Sequence, residues 1–216
     1  EFQARMAEHL RAEATVVAQS GYLANVGLIQ AIAESSTPVY VDMLAHASLW
    51  HGVLAAGASP RPFRHNDLDH LNCQIRRHGP GIVVIDSVYS TNGSVAPIRE
   101  AVETAERYGC AIVIDESHSL GTHGPAGAGL VVALGLEERV HFRTASLAKA
   151  LCGRGGIVAC SKKFGEYFTY HSPPNIFSSA VLPHEFSSLG KTLEIIQRDE
   201  WRRRRLHDSA AWLRRR

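Results

Sequence analysis

Short apolar runs alternate with stretches whose apolar positions recur every three or four residues along most of the chain. The runs Thr15–Gln19, Pro38–Asp42, Gly81–Asp86, Ala111–Asp115, Val140–Thr144 and Gly156–Cys160 are rich in Val and Ile and predict strands. Between them, Tyr22–Ala33, Ala47–Ala56, Asp69–His78, Pro97–Tyr108 and Gly129–Leu134 predict helices. Pro97 suits a helix start and Gly109 the stop that follows. Regular alternation of this kind predicts a mostly parallel sheet with helices on both faces.

Two stretches depart from that rhythm. The Gly156–Cys160 run follows the preceding strand with almost no room for a crossover helix, so it should lie antiparallel to its neighbour. From Pro183 to about Trp212 the pattern reads as one long amphipathic helix with no strand after it. Both ends of the chain stop inside structural patterns, which suggests a piece of a larger subunit.

Composition narrows the class without choosing a function. With 45% hydrophobic and 20% charged residues, the 216-residue chain reads as an ordinary soluble globular protein of one domain, at most two. No apolar run of about 18 residues predicts a membrane helix, and the first residues lack a signal-peptide layout. The formal charge of +2 is too small to point to nucleic acid or an anionic membrane. Arginines do crowd one end (Arg198, Arg202–Arg205, Arg214–Arg216), and they read as a surface helix whose acidic partners lie elsewhere. Cys73, Cys110, Cys152 and Cys160 show no CxxC spacing and read as reduced cysteines of a cytoplasmic protein. The pairs His46/His51, His65/His70 and His118/His123 are each five apart, not the i, i+4 spacing of helical zinc ligands, and no metal site is expected.

Parallel sheets gather ligands at the C-terminal ends of their strands, and the chemically informative residues fall there. Asp115 closes the strand Ala-Ile-Val-Ile, where a carboxylate is costly unless paired. Thirty-four positions on, Lys149 sits in Thr-Ala-Ser-Leu-Ala-Lys-Ala, preceded by Ser146 and followed by Gly153, Gly155 and Gly156. An amine suited to an aldehyde, with a carboxylate suited to a cationic ring nitrogen, suggests pyridoxal phosphate (PLP) with Lys149 as its Schiff-base lysine. Gly21, in Ser-Gly-Tyr ahead of a helix, allows the freed N–H groups to hold a phosphate, although an ordinary turn would read the same way. His46 could stack on a planar ring, or simply cap or pack the helix it opens. His118 could reach a phenolic oxygen or be a packed loop residue. Ser90 could donate to the cofactor, but a serine in a turn before Gly93 needs no function. No GxGxxG follows the first strand, so the sheet pattern alone does not support a nicotinamide dehydrogenase.

In order along the chain, Ser-Gly-Tyr-Leu-Ala-Asn (20–25), Ala-His-Ala-Ser-Leu (45–49), His-Asn-Asp (65–67), Asp-Ser-Val-Tyr-Ser (86–90), Asp-Glu-Ser-His-Ser-Leu-Gly (115–121) and Ala-Ser-Leu-Ala-Lys (145–149) resemble the α-oxoamine synthases. These are PLP enzymes of the aspartate-aminotransferase fold, and the likeness runs from about Ala14 to Leu193. Within the family the chain most resembles the quorum-sensing autoinducer synthases, in which Ser117 and Ala148 stand where many relatives have Ala and Gly. The resemblance implies the large domain of fold type I over residues 1–216: a mostly parallel sheet with helices on both faces and one antiparallel strand. It implies an N-terminal segment and a C-terminal small domain that are missing here. It makes Lys149, His46 and Asp115 the catalytic group, with Gly21, Tyr22, Ser90, His118 and Ser146 around the cofactor. Ser178 and Ser179 match residues that reach the phosphate of a neighbouring subunit, which implies a homodimer. The implied reaction joins an acyl-CoA to an amino substrate, S-adenosylmethionine or 2-aminobutyrate. A housekeeping relative using glycine, alanine or serine, or a truncated non-catalytic subunit, are the alternatives.

Overall fold

The structure, a computed structural model, describes residues 1–215. In chain order the elements are α1 (Phe2–Leu10), β1 (Ala14–Ala18), α2 (Gly21–Ile32), β2 (Pro38–Asp42), α3 (Ala47–Ala55), β3 (Ser59–Phe63), α4 (Leu68–His78), β4 (Ile82–Asp86), α5 (Ile98–Arg107) and β5 (Ala111–Asp115). They continue with α6 (Leu130–Ala133), β6 (Phe142–Ser146), β7 (Gly156–Cys160), α7 (Lys162–His171), α8 (Pro173–Phe177), α9 (Pro183–Arg198) and α10 (Glu200–Arg214). Seven strands form one sheet in the order β1-β7-β6-β5-β4-β2-β3. Strand β7 runs antiparallel to both neighbours, and the other pairings are parallel. The short return from β6 to β7 does what the spacing predicts.

Alternation along the strands divides the side chains between two cores. Tyr40, Val83, Ile85, Ile112 and Ile114 face one side and pack with residues of α4, α5 and α6. Val39, Val41, Val84, Val113 and Val158 face the other side and meet Leu28 and Ile29 of α2, Leu49 and Val53 of α3, and Phe168 of α7. Each of these fully buried aliphatic side chains contributes roughly 1.5–3 kcal/mol by leaving water. A third cluster packs Phe2, Met6 and Leu10 of α1 with Leu189 and Leu193 of α9 against Leu147, Ile157 and Ala159. The same alternation aims Asp86, Asp115, Thr144 and Ser146, each near the C-terminal end of its strand, toward the α2 and α3 side.

Several elements differ from the sequence reading. Strand β3 has the sequence Ser-Pro-Arg-Pro-Phe, which argues against a strand. It forms because it is an edge: Ser59 donates to Thr37 O at 3.3 Å and Phe63 O accepts from Met43 N at 3.0 Å. Pro60 and Pro62 lie between these inward-bonding residues, so their missing donors fall on the outer edge, where no ladder partner waits. Helix α1, unpredicted, presents Phe2, Met6 and Leu10 at i, i+4 and i+8 to the core. The helix α7 starts at Ser161, whose Oγ accepts from Phe164 N at 3.2 Å. Strand β6 lies two residues later than expected, which carries Ser146 to its end.

The long C-terminal helix is in fact two. At Asp199 the backbone leaves helical geometry (φ −93°, ψ 63°), and α10 starts after it. The arginines around the break find their acidic partners locally, contrary to expectation. Asp199 accepts from Arg198 Nε at 2.7 Å and Arg202 Nε at 3.0 Å, and these guanidiniums hold its carboxyl down to about 2. Arg203 turns inward, paired with Glu200 and donating to Ile196 O. Arg216 lies outside the described residues.

Candidate active site

Strand ends β4, β5 and β6 and the N-termini of α2 and α3 enclose a cleft of about 210 Å³. Its walls bring together Gly21, Tyr22, His46, Ser90, Asp115, His118, Ser146 and Lys149, eight residues from five separate segments of the chain. Ser178 and Ser179 are not among them. They follow α8, Ser178 Oγ bonds to Pro174 O, and Ser179 is exposed. A larger cleft of about 780 Å³, lined by Arg11, Glu137, His141 and Phe164, opens at the other end of the sheet and contains none of these groups.

Gly21 is the first residue of α2, and Ser20 caps the helix by accepting from Leu23 N at 3.1 Å. A Cβ on Gly21 would stand 2.6 Å from Ser146 Cβ, so the start of α2 packs on the end of β6 only because this residue is glycine. The twelve-residue helix turns its amide ends toward the cleft. Tyr22 follows, its hydroxyl bonded to His51 Nδ1 and its ring edge-on to that histidine.

Asp115 is buried and carries one donor on each carboxylate oxygen, which leaves acceptor capacity on both. Its Oδ2 accepts from Asn25 Nδ2 at 2.6 Å, and its Oδ1 accepts from Ser117 N at 2.7 Å. In the parallel ladder it stands level with Asp86 on β4 and Thr144 on β6. Two carboxylates side by side with little water is an expensive arrangement. Burial and the nearby Asp115 charge push Asp86 up to about 8. Asp86 Oδ2 also accepts from His46 N at 2.8 Å, which fixes the turn entering α3. His46 itself caps α3 through Nδ1 while its ring lines the cleft, so capping the helix does not take the ring away from the cleft.

The loop after β5 carries His118. Burial, followed by the neighbouring Lys149 cation, pushes its imidazole below the ordinary histidine value. Glu116 anchors this loop from the opposite side of the sheet. Its Oε1 accepts from Val131 N and Ser119 Oγ, both at 3.0 Å, and its Oε2 lies 3.7 Å from Arg143 Nη1. Burial pushes the Glu116 carboxyl up and the Arg143 guanidinium down, each opposed by the other's charge. Arg143 also donates to Leu10 O, tying the pair to the end of α1.

Lys149 sits in a turn closed by Leu147 N to Gly155 O at 2.9 Å and Cys152 N to Lys149 O at 3.1 Å. Buried Leu147 and Leu151 hold the turn while Lys149 stays exposed at the cleft. Ser117, one of the two distinguishing residues of the sequence comparison, accepts from Ser146 N at 2.8 Å and so links the His118 loop to the lysine strand. The other, Ala148, donates its N–H to Ser146 Oγ at 3.3 Å.

Sequence reasoning passed over Ser20, Asn25, Ser48, Asp86 and Ser117, all of which line the cleft. A signal was present for Asn25. It stands four residues after Gly21, hence on the same helical face, as a lone polar residue among Ala24, Leu28 and Ile29. Asp86 carried the same signal as Asp115, a carboxylate closing an apolar strand, Ile-Val-Val-Ile, whereas no pattern marked Ser48.

Comparison with known proteins gives a consistent family. The family model described as "Aminotransferase class I and II" matches residues 1–216. The chain is 48% identical over 213 residues to the CAI-1 autoinducer synthase of Vibrio campbellii, covering 99% of this chain and 54% of that protein. A solved serine palmitoyltransferase from S. paucimobilis, with bound PLP and myriocin, superposes with a TM-score of 0.92 at 28% identity. That match covers 97% of this chain and 53% of that one. The serine palmitoyltransferase of Sphingomonas wittichii gives a TM-score of 0.91 at 26% identity, over 96% and 53% of the two chains. The chain thus spans about half the length of the relatives it matches.

Proposed function

This chain belongs to the aminotransferase class I and II family, and we propose from that premise that its strand-end cleft holds PLP. The complete protein is then a PLP-dependent acyl-CoA:amino acid C-acyltransferase of the α-oxoamine synthase type. It joins an acyl-CoA to S-adenosylmethionine or 2-aminobutyrate, making the precursor of an α-aminoketone or α-hydroxyketone signal. The 216 residues form its PLP-binding large domain, in a cytoplasmic enzyme that works as a homodimer. Among the described residues no helix is long and apolar enough to cross a membrane.

The observation that carries this reading is the convergence of Lys149, Asp115, His46 and Gly21 on one cleft. Their chemistry fits the group. A glycine packed too tightly for a Cβ leaves backbone amides open to a phosphate. A buried carboxylate held by two donors suits a ring N–H. PLP, when bound, supplies an electron sink for a carbanion at the substrate's α-carbon. Lys149 Nζ would hold the cofactor's aldehyde carbon and, once released, would take the α-proton. Asp115 would accept from the pyridine nitrogen, and His46 would cover the ring. His118 and Ser90 would bond the ring oxygen, while Gly21, Tyr22 and Ser146 would position the phosphate. Ser178 and Ser179 would reach the partner subunit's phosphate. Their exposed neighbours Ile176, Phe177 and Leu182 are the apolar surface such an interface would cover.

The stronger identity to an autoinducer synthase favours this reading over a housekeeping condensation with serine or glycine, toward which the serine palmitoyltransferase likeness points. Thiol release from a panel of acyl-CoAs and amino substrates, run on the complete protein, separates the two. Preference for S-adenosylmethionine or 2-aminobutyrate is the expected result, and exclusive use of glycine, alanine or serine would reject it. A Lys149→Ala variant should lose the borohydride-reducible yellow band, and its retention would reject the lysine assignment.

A further inference from the structure

Two buried polar side chains, Asn25 and Ser48, connect Asp115 to the exposed His46, and the direction of each hydrogen bond between them follows from the donors available. The Asp115 carboxylate only accepts, so the Asn25 atom 2.6 Å from Oδ2 is the amide nitrogen. The far side of the amide is compatible with this orientation: the Thr144 hydroxyl, 2.6 Å from Asn25 Oδ1, is free to donate to it. With the amide oriented by the carboxylate, its second N–H points to Ser48 Oγ at 2.9 Å. An amide nitrogen accepts nothing, so the single Ser48 hydroxyl proton has to go elsewhere. The acceptor in reach is His46 Nδ1, at 2.7 Å. Ser48 N also points at Nδ1, at 3.3 Å. Ser48 is fully buried, so a hydroxyl proton left without an acceptor there would be costly.

We infer that Asn25 and Ser48 are positioning residues that tie Asp115 to His46 and fix the neutral His46 ring with its proton on Nε2. In the neutral ring Nδ1 faces both the Ser48 hydroxyl and the Ser48 N–H, so the ring proton lies on Nε2. The Asp86 bond to His46 N, at 2.8 Å, holds the backbone of the same residue from β4. His46 is therefore set both in place and in tautomer by residues that need not touch a ligand. The ring offers the cleft a donor at Nε2, and Asp115 keeps its alignment through the same amide. A reversed tautomer would put N–H against N–H at Ser48 and strand the buried hydroxyl proton.

The test uses cofactor-free, full-length protein labelled with ¹⁵N in its histidine rings, so its outcome does not depend on the PLP assignment. The His46 signal is identified by its loss in His46→Asn. Wild type should show a bare Nδ1 and a protonated Nε2, and a proton on Nδ1 would overturn the inference. Ser48→Ala should move a measurable share of the neutral ring to the other tautomer, whereas Ser48→Thr, which keeps the hydroxyl, should retain the wild-type pattern. An unchanged tautomer in Ser48→Ala, or the same change in both variants, would also overturn it. Asn25→Ala should produce a shift in the same direction as Ser48→Ala, because the Ser48 hydroxyl is then free to turn. If either alanine variant fails to fold, the wild-type spectrum alone still decides the direction of the chain.

Discussion

Gly21→Ala is the sharpest steric test of the cleft. The added methyl would lie 2.6 Å from Ser146 Cβ and 2.7 Å from Ser146 Cα. Carbon atoms rest at about 3.5–4.0 Å, so the start of α2 and the end of β6 must part by about 1 Å. Neither side yields easily. Ser146 N is bonded to Ser117 Oγ, and Ser117 N is bonded to Asp115. Overpacking of this kind costs about 1–3 kcal/mol. A displacement of about 1 Å in the groups that position a reactant can lower turnover about a hundredfold. Gly165→Ala is the matched control. It also adds a methyl to a helical glycine, but there the nearest atoms are 3.5 Å away. It should stabilise the protein by about 0.4–1 kcal/mol by restricting the unfolded chain. Urea unfolding of the complete protein gives the stability change, steady-state turnover gives the rate loss, and PLP titration followed by absorbance gives the cofactor affinity. If Gly21→Ala matched wild type in both stability and PLP affinity, the close packing of α2 on β6 would not be what shapes the cleft.

Asp86 should make the apoprotein sensitive to alkali. Its folded value lies near 8 against 3.8 for the unfolded chain, so the folded form holds the extra proton. Its contribution is complete below about pH 4 and is lost as pH rises toward 8 and beyond. Asp86→Asn should flatten that part of the stability–pH curve in urea titrations, and an unaltered slope would contradict the assignment. Arg143→Met leaves Glu116 buried without its counter-charge and should cost about 3–5 kcal/mol. The double variant with Glu116→Gln should recover a good part of that loss, and strict additivity of the two single effects would refute the pairing. Asp199→Ala should remove both arginine contacts at the α9–α10 break, and because the arginines are exposed the loss of stability in urea should be small and should shrink as salt is added. A large loss insensitive to salt would show that the break is held by more than its ion pairs.

The alternation of apolar runs and helical periods was enough to predict a parallel core and its one reversed strand, because period and connection length are local properties. It was blind to β3, where two prolines are tolerated only at an edge, and position in a sheet is not written in five residues. The missed break at Asp199 had a similar cause. Its surroundings keep an amphipathic period, and the turn depends on where Arg198, Arg202 and Arg203 find partners.

Lys149 and Asp115, with Gly21 ahead of a helix, already suggested PLP from the sequence, since an amine, a carboxylate and a glycine at a helix start have few joint uses. What only the tertiary structure decided is how those groups are held. Asn25 from a helix, Ser48 from a second helix and Thr144 from a strand meet between Asp115 and His46. Directed hydrogen bonds among residues far apart in sequence leave no trace in spacing. They exist only once the sheet has set its strand ends side by side.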